Sequence, residues 1–144
     1  MSLNFEGKAP DLVFYISSKM GESQQQEVGF LINKQTKRPI FSDKECKDLI
    51  GSLGASQIIE DNDKEITTLI FNGSYSLLEL GSFIAQGSNY KQVKDSNGYA
   101  IPNNQVVVYT LTSGNGDFIG ATGYVVVISD ETPVRKNLVY FTHI

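Results

Sequence analysis

The chain has 144 residues, 40% of them hydrophobic and 19% charged, with a formal net charge of −4. That length and mix describe one folded domain, residues 1–144, with a core of its own, and exclude a disordered chain. The acidic balance and scattered lysines argue against nucleic acid or an anionic membrane as main partner, since both require a basic footprint.

The single cysteine, Cys46, allows no internal disulfide. No run is long and apolar enough for a membrane-spanning helix, and the start lacks a signal-peptide pattern. A cytoplasmic protein is the expectation, with Met1, Ser2 and Leu3 read as an expression scar.

In chain order, the first strand is expected over residues 11–17, rich in strand formers and placed after Pro10. Residues 19–27 are polar, with Gln24, Gln25 and Gln26 in a row, and read as a loop. A second short strand is expected over 28–33 and a polar turn over 35–39. The spacing then predicts one helix over 42–53. Ser42 with Glu45 fits a capping box, Cys46, Leu49, Ile50 and Leu53 share one helical face, and Gly54 suits the C-terminal cap. On that reading Cys46 is a small core residue rather than a nucleophile.

Ile58 and Ile59 and then residues 65–71 frame a strand–turn–strand unit, and 83–86 is another strand. Residues 92–104 read as a loop with a turn at Ser96, Asn97 and Gly98. The last three strands are expected over 106–112, 123–129 and 137–143. About eight short strands with glycine turns predict a barrel or sandwich.

Gly114, Gly116 and Gly120 invite a dinucleotide-loop reading, which the spacing rejects. The last glycine comes one residue too late, and a β-branched run follows where a phosphate-holding helix belongs. A tight turn is the better reading. The lone histidine, His143, reads as a surface residue, and one histidine with one cysteine far away makes no zinc site. No nucleophile elbow is present. Asn72, Gly73 and Ser74 match a glycosylation acceptor by chance. Glu79 lies among apolar residues. Facing a barrel interior it would be desolvated and become a candidate acid or base, while facing solvent or a subunit contact it is inert. Both readings stay open.

The order of features resembles allene oxide cyclase and the related dirigent-like barrels. Residues 81–87 (Gly-Ser-Phe-Ile-Ala-Gln-Gly) are similar to that family's glycine-x-isoleucine-x-x-glutamine-glycine strand, and 112–123 to its glycine-punctuated segment. Residues 137–141 resemble its closing aromatic strand, and 39–44 its Pro-Phe-Ser-Asn-Lys stretch. The resemblance implies an all-β, eight-stranded antiparallel barrel with an apolar cavity, here with one short helix, usually assembled as a trimer; exposed apolar strands lead to the expectation of a homo-oligomer, dimer or trimer, for this chain. The resemblance also implies action on hydrophobic ligands, by cyclisation or by guiding radical coupling; the reading taken for this chain is a small hydrophobic ligand, bound and isomerised or cyclised without a cofactor. Where the plant cyclase carries a catalytic glutamate and an asparagine, this chain has Tyr15 and Ser17, and Gln57 replaces a pocket cysteine.

The expected site therefore has Glu79 as acid or base. Tyr15, Tyr109 and Tyr140 would donate to a developing oxyanion, and Ser17, Gln57 and Gln86 would complete the ligand contacts. No metal and no cofactor are expected. The other reading is a scaffold whose barrel serves structure or interaction alone.

Overall fold

The computed structural model describes residues 8–102 and 104–143, with only the backbone of His143. Met1, Ser2, Leu3 and the His143 side chain fall outside the described residues.

Alternation of apolar and polar side chains builds the strands. In Glu65–Leu77, Phe71, Gly73, Tyr75 and Leu77 are buried while Asn72, Ser74 and Ser76 between them are exposed, the two-residue period of a sheet with one covered face. The strands are β1 (Leu12–Ser17), β2 (Glu22–Val28), β3 (Leu31–Phe41), β4 (Leu49–Asp61), β5 (Glu65–Leu77), β6 (Gly81–Gln92), β7 (Gln105–Gly114), β8 (Thr122–Ser129) and β9 (Val134–His143). Every pairing between them is antiparallel. Their order is β1-β9-β8-β7-β6-β5-β4-β3-β2, and β1 also pairs with β3 at Tyr15 and Phe41. That pairing closes eight strands into a barrel and leaves β2 as a flap hydrogen-bonded to β3 alone. Closure removes the edges that open sheets must protect.

The core is an aromatic column. Tyr75 stacks on Phe83 with ring centroids 5.0 Å apart, and Phe83 meets Phe118 edge to face at 5.3 Å. Phe118 belongs to the glycine-rich connector between β7 and β8, which is a plug for one barrel end. The Asn115 side-chain oxygen accepts the backbone N–H and the hydroxyl of Ser82, both at 2.9 Å. The Asp117 N–H donates to the Leu80 carbonyl at 2.7 Å. The turn expected here is present, with Gly116–Phe118 as a single 3-10 turn, the only helical turn among the described residues. Gly123 sits at a register shift between β8 and β9 with φ 153°, and a Cβ there would lie 2.0 Å from the Tyr140 carbonyl oxygen.

Residues 42–53 form no helix. The Asp43 carboxylate accepts the N–H groups of Lys47 (3.0 Å) and Asp48 (2.8 Å), and the Ser42 hydroxyl donates to the Asp48 carboxylate. These side-chain bonds close a loop that outcompetes the helical turn. From Leu49 onward the chain is β4. Cys46 is half-buried at φ 58° in that loop, not in the core. Burial, then the nearby Asp43 and Glu45 carboxylates, raise its thiol above the usual range, which leaves it a poor nucleophile.

The loop expected over 19–27 contains β2, held by seven residue pairs with β3 rather than by any apolar pattern. The turn expected over 35–39 is the middle of β3. Pro39 is tolerated there because it falls between Lys37, paired to β2, and Phe41, paired to β1.

Candidate functional site

Away from the Phe118 plug the barrel interior widens into a cavity of about 210 Å³. Seven strands and the turn after β1 supply its wall. The apolar part is Ile16, Leu53, Ala55, Phe71, Tyr75, Tyr109 and Val127. Phe71 and Tyr109 lie stacked with centroids 4.1 Å apart and planes 15° from parallel. Gly87 makes room for this pair, since a Cβ there would come within 2.7 Å of the Tyr109 ring.

The polar part is Ser18, Lys34, Thr36, Arg38, Gln57, Arg135 and Asn137. Lys34, Thr36 and Arg38 are alternate residues of β3, so all three face inward while Gln35 and Lys37 point to solvent. The Arg38 Nη1 donates to the Ser18 and Met20 carbonyls, each at 2.9 Å, and the Arg135 Nη1 to the Thr132 carbonyl at 2.8 Å. Asn137 is 2% exposed and donates to the Arg135 carbonyl at 3.2 Å. Among the described residues no carboxylate, imidazole or thiol lines the cavity.

Burial shifts several of these groups. It lowers the Lys34 ammonium, with the Arg38 charge adding to the effect. It lowers Arg135, where repulsion from Arg38 adds and the Asp130 charge opposes. It pushes the Tyr109 phenol up to about 12 and Tyr75 higher still. Both phenols are therefore protonated at neutral pH and able to donate. Neither hydroxyl has a hydrogen-bond partner among the described residues.

Of the residues expected from sequence, Gln57 and Tyr109 line this cavity together. The other five do not. Glu79 is exposed in the turn between β5 and β6, at φ 66°, on the plugged end, which is the solvent-facing one of its two readings and not the one a catalytic role needs. Tyr15 lies between the inward Phe14 and Ile16 and faces outward, half-buried. Ser17 is buried, but its hydroxyl accepts the Lys19 N–H at 3.2 Å. Gln86 is on the outer face and donates to Asn72 at 3.2 Å. Tyr140 is buried outside the core cluster, with the Lys8 ammonium 5.7 Å from its ring centroid. In each case strand parity puts the side chain on the far side of the sheet from the cavity or at a turn.

Sequence reading missed Lys34, Arg38, Arg135, Asn137, Phe71 and Tyr75 as lining residues. Alternation was the available signal: cations at 34 and 38, and large residues at 71 and 75 around Gly73.

No family model matches the chain, and no curated protein does. Among solved structures it is similar to a pyocyanin demethylase, with TM-score 0.65 and 13% identity over 91% of this chain and 100% of that one. It is also similar to a pterocarpan synthase dirigent protein, with TM-score 0.62 and 15% identity over 98% of this chain and 92% of that one. The resemblance to dirigent-like barrels holds at the level of fold, and identity this low carries the fold alone.

Proposed function

We propose that the protein binds a small, largely apolar molecule in the open part of its barrel. The observation that carries this reading is the cavity itself. A stacked aromatic pair, aliphatic side chains and two unpartnered phenols surround space that a solid core would fill. Its volume, about 210 Å³, lies below the roughly 300–1,000 Å³ of sites for drug-sized ligands, so the occupant is small. Among the described residues the lining offers donors and cations but no carboxylate or imidazole to move a proton, which favours binding over acid–base isomerisation.

The proposal includes a cytoplasmic location, where a lone cysteine needs no partner. It also includes assembly into a dimer or trimer, supported by Leu69, Ile70, Val106 and Val108 exposed on the outer wall. A light-scattering mass of one chain across a wide concentration range would refute the assembly.

The test of binding is calorimetric titration with 2-naphthamide, an uncharged two-ring probe. The wild type binds it, and Ala55→Phe, which fills the cavity from β4, does not while still folding. A variant that binds as well as the wild type overturns the reading.

A further inference from the structure

We infer that the cavity selects an organic anion: a small ring-bearing molecule with one carboxylate or similar oxyanion, seated against Phe71 and Tyr109 with its charge between Lys34, Arg38 and Arg135. The inference rests on the cavity reading and adds the chemical class of the ligand.

Three cations line one cavity in a chain whose net charge is −4. Among the described residues none of the three forms an ion pair, and no carboxylate shares the cavity wall. Nearby acids lie outside the cavity: Asp130 attracts Arg135 from the turn between β8 and β9. The positive charge of Arg38 disfavours the charged forms of both Lys34 and Arg135. Gathering like charges in a partly desolvated space is unfavourable unless an anion joins them.

The donors are also held in place. The Arg38 and Arg135 Nη1 groups are anchored on backbone carbonyls. Their Nη2 and Nε groups have no partner among the described residues, and such a fork matches a two-oxygen anion. Lys34 stands two same-face positions from Arg38 along β3, and Thr36 between them adds a hydroxyl. The apolar floor and the cationic rim thus present two chemistries to one molecule.

The experiment compares 2-naphthoate with 2-naphthamide, which share a ring system and differ in charge, by calorimetry at low ionic strength. The wild type binds naphthoate at least about tenfold more tightly, the scale of a charge-assisted contact. Lys34→Gln, Arg38→Gln and Arg135→Gln each reduce that preference, lowering naphthoate affinity by more than they lower naphthamide affinity. Added salt weakens naphthoate alone. Should an arginine variant fail to fold, Lys34→Gln on the half-exposed wall and the salt series of the wild type still decide. Equal affinity for both probes in the wild type overturns the anion inference and leaves the cavity reading intact. A naphthoate preference unmoved by every substitution and by salt also overturns it. Failure of both probes to bind overturns the cavity reading and the inference with it.

Discussion

Tyr75 and Tyr109 present phenols to the cavity from which burial has withdrawn water. Burial raises Tyr109 to about 12 and Tyr75 further. The sign follows from the protonated form being favoured in the fold. The stability these groups contribute is complete below the unfolded phenol value of about 10 and is lost as pH rises through the folded value. The protein should therefore unfold in alkali between pH 10 and about 12 as Tyr109 ionises. Near-ultraviolet absorbance for phenolate and circular dichroism for the fold, followed together, check this. Phenolate from all seven tyrosines near pH 10, with the fold intact, would contradict it. At this scale the sequence was partly legible. Tyr109 stood out because it lies in a strongly β-branched run. Glu79 misled because its apolar neighbours, Leu77, Leu78 and Leu80, suggest an interior. Leu78 and Leu80 are in fact exposed at the turn.

The glycine connector separates steric demand from backbone strain. Gly120 has φ 76° with open space around a built Cβ, so backbone conformation and not crowding is what requires glycine there. Gly123 has both a positive φ and a carbonyl oxygen 2.0 Å from that Cβ. Gly120→Ala should cost about 1 kcal/mol. Gly123→Ala should exceed it, at roughly 3 kcal/mol or more, because the β8–β9 pairing must open as well. Phe118→Ala, which removes the plug, should cost about 3–5 kcal/mol. Thermal or urea unfolding of the three variants ranks them, and equal midpoints for the two glycine variants would contradict the geometry.

Strands with one covered face were legible from alternation, as in β7, β8 and β9. The elements that were not legible are those where polarity has another cause. β3 reads as a turn because its inner face carries Lys34, Thr36 and Arg38 rather than apolar residues, so both faces look like surface. β2 has no buried face at all, and only backbone pairing to β3 defines it. The helix expected over 42–53 came from an apolar spacing that serves two periods. In β4 the buried members are Leu53 and Ala55, two apart, while Leu49 is exposed. The Asp43 hydrogen bonds, set by loop geometry, carry no periodic signal.

As a whole molecule the chain is a closed barrel with one end plugged by aromatic packing and the other lined by cations over an aromatic floor. The fold was legible because closure, alternation and glycine turns act throughout the chain. The cavity was not, because it depends on which inward positions from seven strands meet, a relation that register sets and no single segment encodes. The most direct test of the central claim is a solution NMR map of methyl shifts on addition of 2-naphthamide. Saturable shifts are expected at Ile16, Leu53, Ala55 and Val127, with Val106 and Val108 on the outer wall unmoved. Shifts confined to the outer wall, or none at concentrations where the probe stays dissolved, would contradict it.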